Sequence, residues 1–259
     1  MITARLKGGL GNQMFQIAAG ISKAKDLNTD FFINPNITHY GQQGKKPYTY
    51  RDNFYSKIMH KDFMPEFVYS EPGFAYSPLP DKTDMIIDGY FQTEKYFKHN
   101  KELIKNSFYF SDDLRKKIDT RISKIKQKIL GVHVRVGDFL SPGNFSSHFI
   151  CNKNYYSNAL SQFDISKYFI LVCTDSPSTL FDFFPKEDIA FSNSKNELED
   201  LYLLSQCDSL ILTNSSFGWW GAYLGKEKDI VYTPSKWFAK DGPQDYNDIY
   251  LDKWKKIDV

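Results

Sequence analysis

TNSSFGWWGAYLG, residues 213–225, sets a polar cluster between an apolar strand signal and an apolar helix signal. Before it, SLIL (209–212) is a short apolar run fit for a buried strand, and after it Trp219, Trp220, Tyr223 and Leu224 recur at helical spacing. The turn between them holds Asn214, Ser215, Ser216, Phe217 and Gly218. A strand–turn–helix of this composition presents hydroxyls and unbonded backbone N–H groups at the positive end of a helix, which is how α/β proteins hold anions. The competing reading is an ordinary Ser/Asn helix cap, and this stretch alone does not separate the two.

Outward from that turn the chain alternates strand and helix signals. Strands are expected at 128–136, 168–173, 189–191, 209–212 and 230–232, with helices near 155–162, 179–184 and 197–207. A βαβ opening is expected at the start: a strand at 2–6, the glycine turn KGGLG, a helix capped by Asn12 and running to about Lys25, and a strand at 31–34. Residues 39–80 read as loops and short helices, 86–87 as a strand, TEKYFKHNKELIKNSF (93–108) as a helix, and SDDLRKKIDTRISKIKQK (111–128) as a solvated helix that links domains. The expectation is an α/β protein of two domains, 1–125 and 126–259.

Composition limits the function classes. The 259 residues are 41% hydrophobic with a net charge of +2, so a core is available and no basic excess argues for nucleic acid. An aromatic fraction of 17% tilts toward a carbohydrate ligand, because Tyr and Trp faces stack on sugar rings. Cys151, Cys173 and Cys207 form no CxxC or Cys/His pattern, which argues against a disulfide framework or structural zinc and makes a reducing cytoplasm the expected compartment. No signal-peptide pattern and no run of roughly 20 apolar residues is found. The sequons at Asn36, Asn144 and Asn214 read as accidental.

Two βα turns, GGLGNQ and NSSFG, suggest a nucleotide held in a cleft between two domains. GGLGNQMF has Met14 where the dinucleotide fingerprint needs its third glycine, and no GxxxxGK[ST] occurs, so the common NAD and P-loop modes are excluded. A tight turn without ligand is the alternative for Gly8, Gly9 and Gly11. HVRVGDF (133–139) ends a strand with His133 and Arg135, and a strand-end arginine suits a forked contact with a diphosphate; a structural Arg135–Asp138 pair is the alternative. LVCTDSP (171–177) ends another strand in Asp175, which either meets a base or ribose or caps the next helix.

GGLGNQMFQ (8–16), GYFQTEKYF (89–97), HVRVGDF and EDLYLLSQCDSLILTNSSFGWWGAYL (199–224) resemble, in order, the motifs of the inverting α-1,2-fucosyltransferases, glycosyltransferase family 11. The resemblance implies a GT-B arrangement of two Rossmann-like domains facing a cleft, a GDP-fucose donor held mainly by the C-terminal domain, and no metal. It implies that Arg135 contacts the donor diphosphate with His133 beside it, and that Asn214, Ser215, Ser216 and Phe217 hold phosphate. Asp175 would meet the guanine, and Gly9, Gly11, Asn12 and Gln13 would approach the fucose and the reacting centre. The family's second arginine is replaced here by Val136.

The expected reaction is inverting transfer of L-fucose to the 2-OH of a terminal galactoside, with Asp138, Asp88 or Glu94 as base and His148, in a loop at 140–149, touching the acceptor. Expected partners are GDP-fucose and a galactose-containing or lipid-linked glycan on the cytoplasmic face of a membrane, in surface polysaccharide synthesis. His39, His60 and His99 lack supporting context. Two other readings remain: a GT-B enzyme for a different GDP-sugar or linkage, and a glycan- or nucleotide-binding protein without turnover.

Overall fold

The computed structural model describes residues 1–37, 45–135, 149–176 and 189–259. The chain divides into two compact units, Met1–Ser111 with Asp245–Leu251, and Asp112–Gln244 with Asp252–Val259.

The first unit is built on a parallel sheet of β1 (Ile2–Ala4), β2 (Phe31–Ile33), β3 (Met59–His60), β4 (Phe67–Ser70) and β5 (Met85–Asp88), in the order β3-β2-β1-β5-β4. The central strands bury every residue of β1 and β2, as a parallel sheet covered on both faces requires. Helix α1 (Leu10–Asp26) follows β1. Its N-cap is Gly9, so Asn12 lies inside the first turn and does not cap, a correction to the sequence reading. Strands β3 and β4 fall in the region read as loops: Met59, Val68 and alternate residues of β4 are exposed, so these edge strands carry too little apolar signal to stand out. The expected helix at 93–108 resolves into 3-10 turns at Glu94–Tyr96 and Lys98–Asn100, followed by α2 (Lys101–Ser107).

The second unit carries β6 (Lys128–Val134), β7 (Tyr168–Thr174), β8 (Ile189–Phe191), β9 (Ser209–Ile211), β10 (Ile230–Pro234) and β11 (Lys255–Ile257), again all parallel. Their order is β11-β10-β9-β6-β7-β8. This is the doubly wound dinucleotide-fold order, in which the strand sequence reverses beside the first strand; here the reversal lies between β6 and β9. Among the described residues the α-helices of this unit are α3 (Asp112–Ile122), α4 (Lys153–Leu160), α5 (Glu197–Gln206) and α6 (Ser216–Tyr223). Helix α3 is solvated along most of its length, as expected, and one side is fastened to α5: Ile118 is fully buried, Lys117 pairs with Glu199 at 2.6 Å and the Tyr202 hydroxyl donates to Asp119 at 3.0 Å. The expected helix at 179–184 lies outside the described residues.

Candidate functional site

Open parallel sheets bind ligands beyond the carboxyl ends of their strands, where the strand order reverses. In the second unit that location is set by register. Val134 of β6 lies opposite Thr174 of β7, so the next residues, Arg135 and Asp175, emerge side by side, and their charged groups meet at 3.0 Å. Asp175 is brought to Arg135, while Asp138 and the segment that Asp175 would cap lie outside the described residues. On the other side of β6, Val132 pairs with Ile211 of β9, which directs 213–217 to the same sheet edge.

The turn is built by Asn214. Its side-chain N–H groups donate to the carbonyls of Phe149 (2.7 Å) and Trp237 (2.9 Å), and its oxygen accepts from the Thr213 hydroxyl at 3.0 Å. Asn214 is 4% exposed with its amide engaged on both ends, so its side chain organises the turn. Ser215 is the N-cap of α6 and makes no side-chain cap bond; Ser215, Ser216 and Phe217 are partly exposed. Helix α6 is held by indole packing: Trp219 and Trp220 are fully buried, and Trp219 stacks on Tyr223 at 4.8 Å.

His133 is packed beneath this helix start. Its ring lies 5.5 Å from that of Phe217, and a Cβ built at Gly218 would stand 2.5 Å from its Nδ1, so only glycine admits the imidazole there. Burial, reinforced by the Arg135 charge and opposed by Asp175, pushes the His133 pKa down to about 4. The ring is neutral at pH 7, and Nδ1 has no hydrogen-bond partner among the described residues. One helix N-terminus, one guanidinium and one unsatisfied buried nitrogen converge at the reversal point, an arrangement suited to a diphosphate.

The first unit has its own strand-order reversal between β1 and β5. Gly8 takes a left-handed φ of +77° that the tight turn after β1 requires. Gln16 holds the backbone of Lys7 at both N–H (2.9 Å) and carbonyl (3.1 Å). Gln13 donates to the carbonyls of Gly8 (3.0 Å) and Lys45 (2.9 Å), so it too has a structural part, while Asn12 accepts from Gln92 at 2.8 Å. Gly9 faces open space: a methyl group added to its Cα would meet nothing within 4 Å. Gly11 lies within the first turn of α1.

Asp88 ends β5 between Arg5 (2.6 Å) and Lys7 (3.0 Å). Burial alone would raise its pKa, but the bonds and charges of Lys7 and Arg5 outweigh it and hold the carboxylate below its ordinary range. Glu71 is a residue that sequence reasoning misses. It follows β4 and accepts from the N–H groups of Tyr90 (2.6 Å) and Phe91 (3.0 Å), holding Phe91 at a left-handed φ of +52°. Desolvation raises the Glu71 pKa against those N–H bonds. No local signal marks Glu71, because its partners are about twenty residues away. His39, Val136, Asp138 and His148 lie outside the described residues.

All three cysteines are buried free thiols, and burial raises their pKa, that of Cys151 to about 11 and of Cys207 to about 12. Among the described residues no helix is long and apolar enough to cross a membrane, and no cluster of three His, Cys, Asp or Glu residues stands at metal-binding spacing. A hollow of about 550 Å3 in the second unit lies at the amino ends of β7 and β8, lined by Ser166, Tyr168 and Ile189, at the sheet edge opposite the convergence of Arg135 and α6.

Known proteins resemble this chain over its length. An alpha-1,2-colitosyltransferase of Escherichia coli is 25% identical, covering 100% of this chain and 99% of the relative. A galactoside 2-alpha-L-fucosyltransferase of Caenorhabditis elegans is 26% identical over 90% of this chain and 71% of its own. NodZ, an alpha-1,6-fucosyltransferase from a crystal soaked with GDP-fucose, matches in structure with a TM-score of 0.54 at 18% identity, covering 86% of this chain and 92% of that one, a likeness of fold. With a model of glycosyl transferase family 11 matching residues 1–258, the chain belongs to that family and is a glycosyltransferase.

Proposed function

We propose that this enzyme transfers L-fucose from GDP-fucose to the 2-OH of a terminal galactoside with inversion, without a metal, using a GT-B arrangement of its two units. The observation that carries the donor half of this reading is the convergence of Arg135 with the N-terminus of α6 at the strand-order reversal of the second sheet. The fucosyl and galactoside parts rest on the relatives' names and the motif order.

In this reading Arg135 and the N–H groups at the start of α6 bind the diphosphate, with the Ser215 and Ser216 hydroxyls as further donors. As the bond from the anomeric carbon to the diphosphate oxygen breaks, negative charge gathers on GDP and oxocarbenium character on the sugar. Donors preorganised on the leaving group stabilise that charge without reorganising. The acceptor oxygen bonds to the opposite face of the anomeric carbon and its proton passes to a base. Asp88, held anionic by two cations, is a weak base, which leaves Glu94 and Asp138 as candidates. The Arg135–Asp175 pair suggests that Asp175 orients the guanidinium; a contact of Asp175 with guanine remains part of the proposal. His148 is retained as an acceptor contact, and the acceptor is taken to be a free or lipid-linked glycan.

A second reading, transfer of colitose with the same α-1,2 linkage, is favoured by the full-length similarity to the colitosyltransferase. One assay tests both. Purified enzyme with EDTA is given GDP-fucose, GDP-colitose, GDP-mannose or UDP-galactose, with and without N-acetyllactosamine. GDP release fastest from GDP-fucose, with product carrying a new linkage at the galactose 2-OH, is expected. Preference for GDP-colitose supports the second reading, and no GDP release from any donor supports a binding protein without turnover.

A further inference from the structure

The first unit contains a hollow of about 200 Å3 that the donor chemistry leaves unused. It lies at the carboxyl ends of β2 and β3, where Ile33 pairs with His60, the sheet edge at which parallel α/β folds hold ligands. Its walls are Pro47, Tyr48, Arg51, His60, Lys61 and Asp62. We propose that this hollow is an acceptor subsite that takes a pyranose ring, the sugar next to the galactose that receives the transferred residue; the assignment rests on the transferase reading above.

Four observations select a sugar. Drug-sized ligands occupy roughly 300–1,000 Å3, so a hollow of this volume suits one ring. Tyr48 is 61% exposed, offering an aromatic face for the C–H side of a pyranose. The His60 Nε2 is buried with no hydrogen-bond partner among the described residues. Burial, then the Arg51 charge, lowers the His60 pKa, so the ring is neutral and its unpartnered Nε2 calls for a group that can donate or accept. Asp62 also accepts and Arg51 donates; Arg51 has a distant, 3.8 Å pairing with the exposed Asp52. Vicinal sugar hydroxyls both donate and accept and so suit either tautomer of His60, whereas a phosphate would face the Asp62 carboxylate.

The hollow is also tied to the turn assigned to the reacting centre. Gln13, in the first turn of α1, holds the Lys45 carbonyl two residues before Pro47 and accepts from the Tyr55 hydroxyl at 3.3 Å; Tyr55 in turn engages His60. One strand spacing is about 4.8 Å, so β2 and β3 set the hollow roughly 5–10 Å from the end of β1, a distance one sugar residue spans.

The test compares methyl β-galactoside, which lacks the second ring, with lactose, lacto-N-biose and N-acetyllactosamine. Saturation-transfer NMR on the GDP-loaded protein should mark ring protons of the second sugar for at least one disaccharide, and Tyr48→Ala and Asp62→Asn should abolish that signal. In transfer assays both variants should raise the ratio of disaccharide KM to methyl galactoside KM about tenfold. No second-ring saturation for any of the three disaccharides, or an unchanged KM ratio in both variants, overturns the subsite. Failure of the wild type to release GDP from any sugar nucleotide overturns the transferase reading instead, and the NMR experiment still reads the hollow.

Discussion

Arg135 and His133 stand two positions apart on one strand end and answer to different physics. Arg135 is more than a third exposed and paired with Asp175, and its proposed work depends on the forked shape of the guanidinium. Arg135→Lys keeps the charge and loses the fork, so kcat should fall about 10²–10³-fold, as on removing one preorganised donor, with the circular dichroism unchanged. Near-normal turnover would remove Arg135 from the diphosphate. His133 is 5% exposed and its pKa is pushed down to about 4. A depressed pKa means that the neutral ring stabilises the fold above its unfolded value of 6.5, and that this contribution is lost as pH falls toward 4. The gap corresponds to about 3 kcal/mol. Urea unfolding between pH 7 and 4 should therefore show a shallower pH slope in His133→Asn than in the wild type, by about one proton; parallel curves would contradict the burial argument.

At the scale of elements, α6 is short and apolar on every side, so its stability comes from Trp219 and Trp220 and not from an amphipathic stripe. Gly218 sets how closely that helix approaches β6. In Gly218→Ala the added methyl would meet Nδ1 of His133 at 2.5 Å, and one of the two elements must move. A loss of about 1–3 kcal/mol in unfolding free energy is expected, as for overpacking elsewhere. GDP affinity should fall in the same variant, measured by calorimetry, because the helix start and Arg135 no longer keep their spacing. Retained affinity with reduced stability would detach the donor site from the β6–α6 contact. The strand–turn–helix over 209–223 is legible in the sequence, since its spacing signals are local. The part played by Asn214 is not: it reaches Phe149 and Trp237, far apart in sequence.

Across the whole molecule, the last fifteen residues serve both units. Asp245 accepts from the N–H groups of Phe74 (2.9 Å) and Ala75 (3.1 Å), and Asp248 from that of Tyr76 (2.8 Å), all within the first unit. Trp254 packs on Trp219 at 5.8 Å and β11 pairs with β10, both within the second. Deletion of 245–259 should therefore remove amide-exchange protection in two places, 74–76 in the first unit and β10 in the second. Loss confined to β10 would mean that the loop at 74–76 is held by its own contacts. The sequence offers no hint of this double duty, because the carboxylates of Asp245 and Asp248 meet backbone amides some 170 positions away.

What the sequence by itself determined is the alternation of strands and helices, the two glycine- and serine-rich turns and the family, all of which are carried by residue spacing within short stretches or by the order of motifs. Tertiary structure alone decided which groups meet. The β6–β7 register brought Asp175 to Arg135, the β1–β5 pairing locked Asp88 between two cations, and the approach of β2 to β3 left His60 with an unsatisfied nitrogen over a hollow. Each of these is a long-range pairing, and register between distant strands is set by the packed core, which no local pattern encodes.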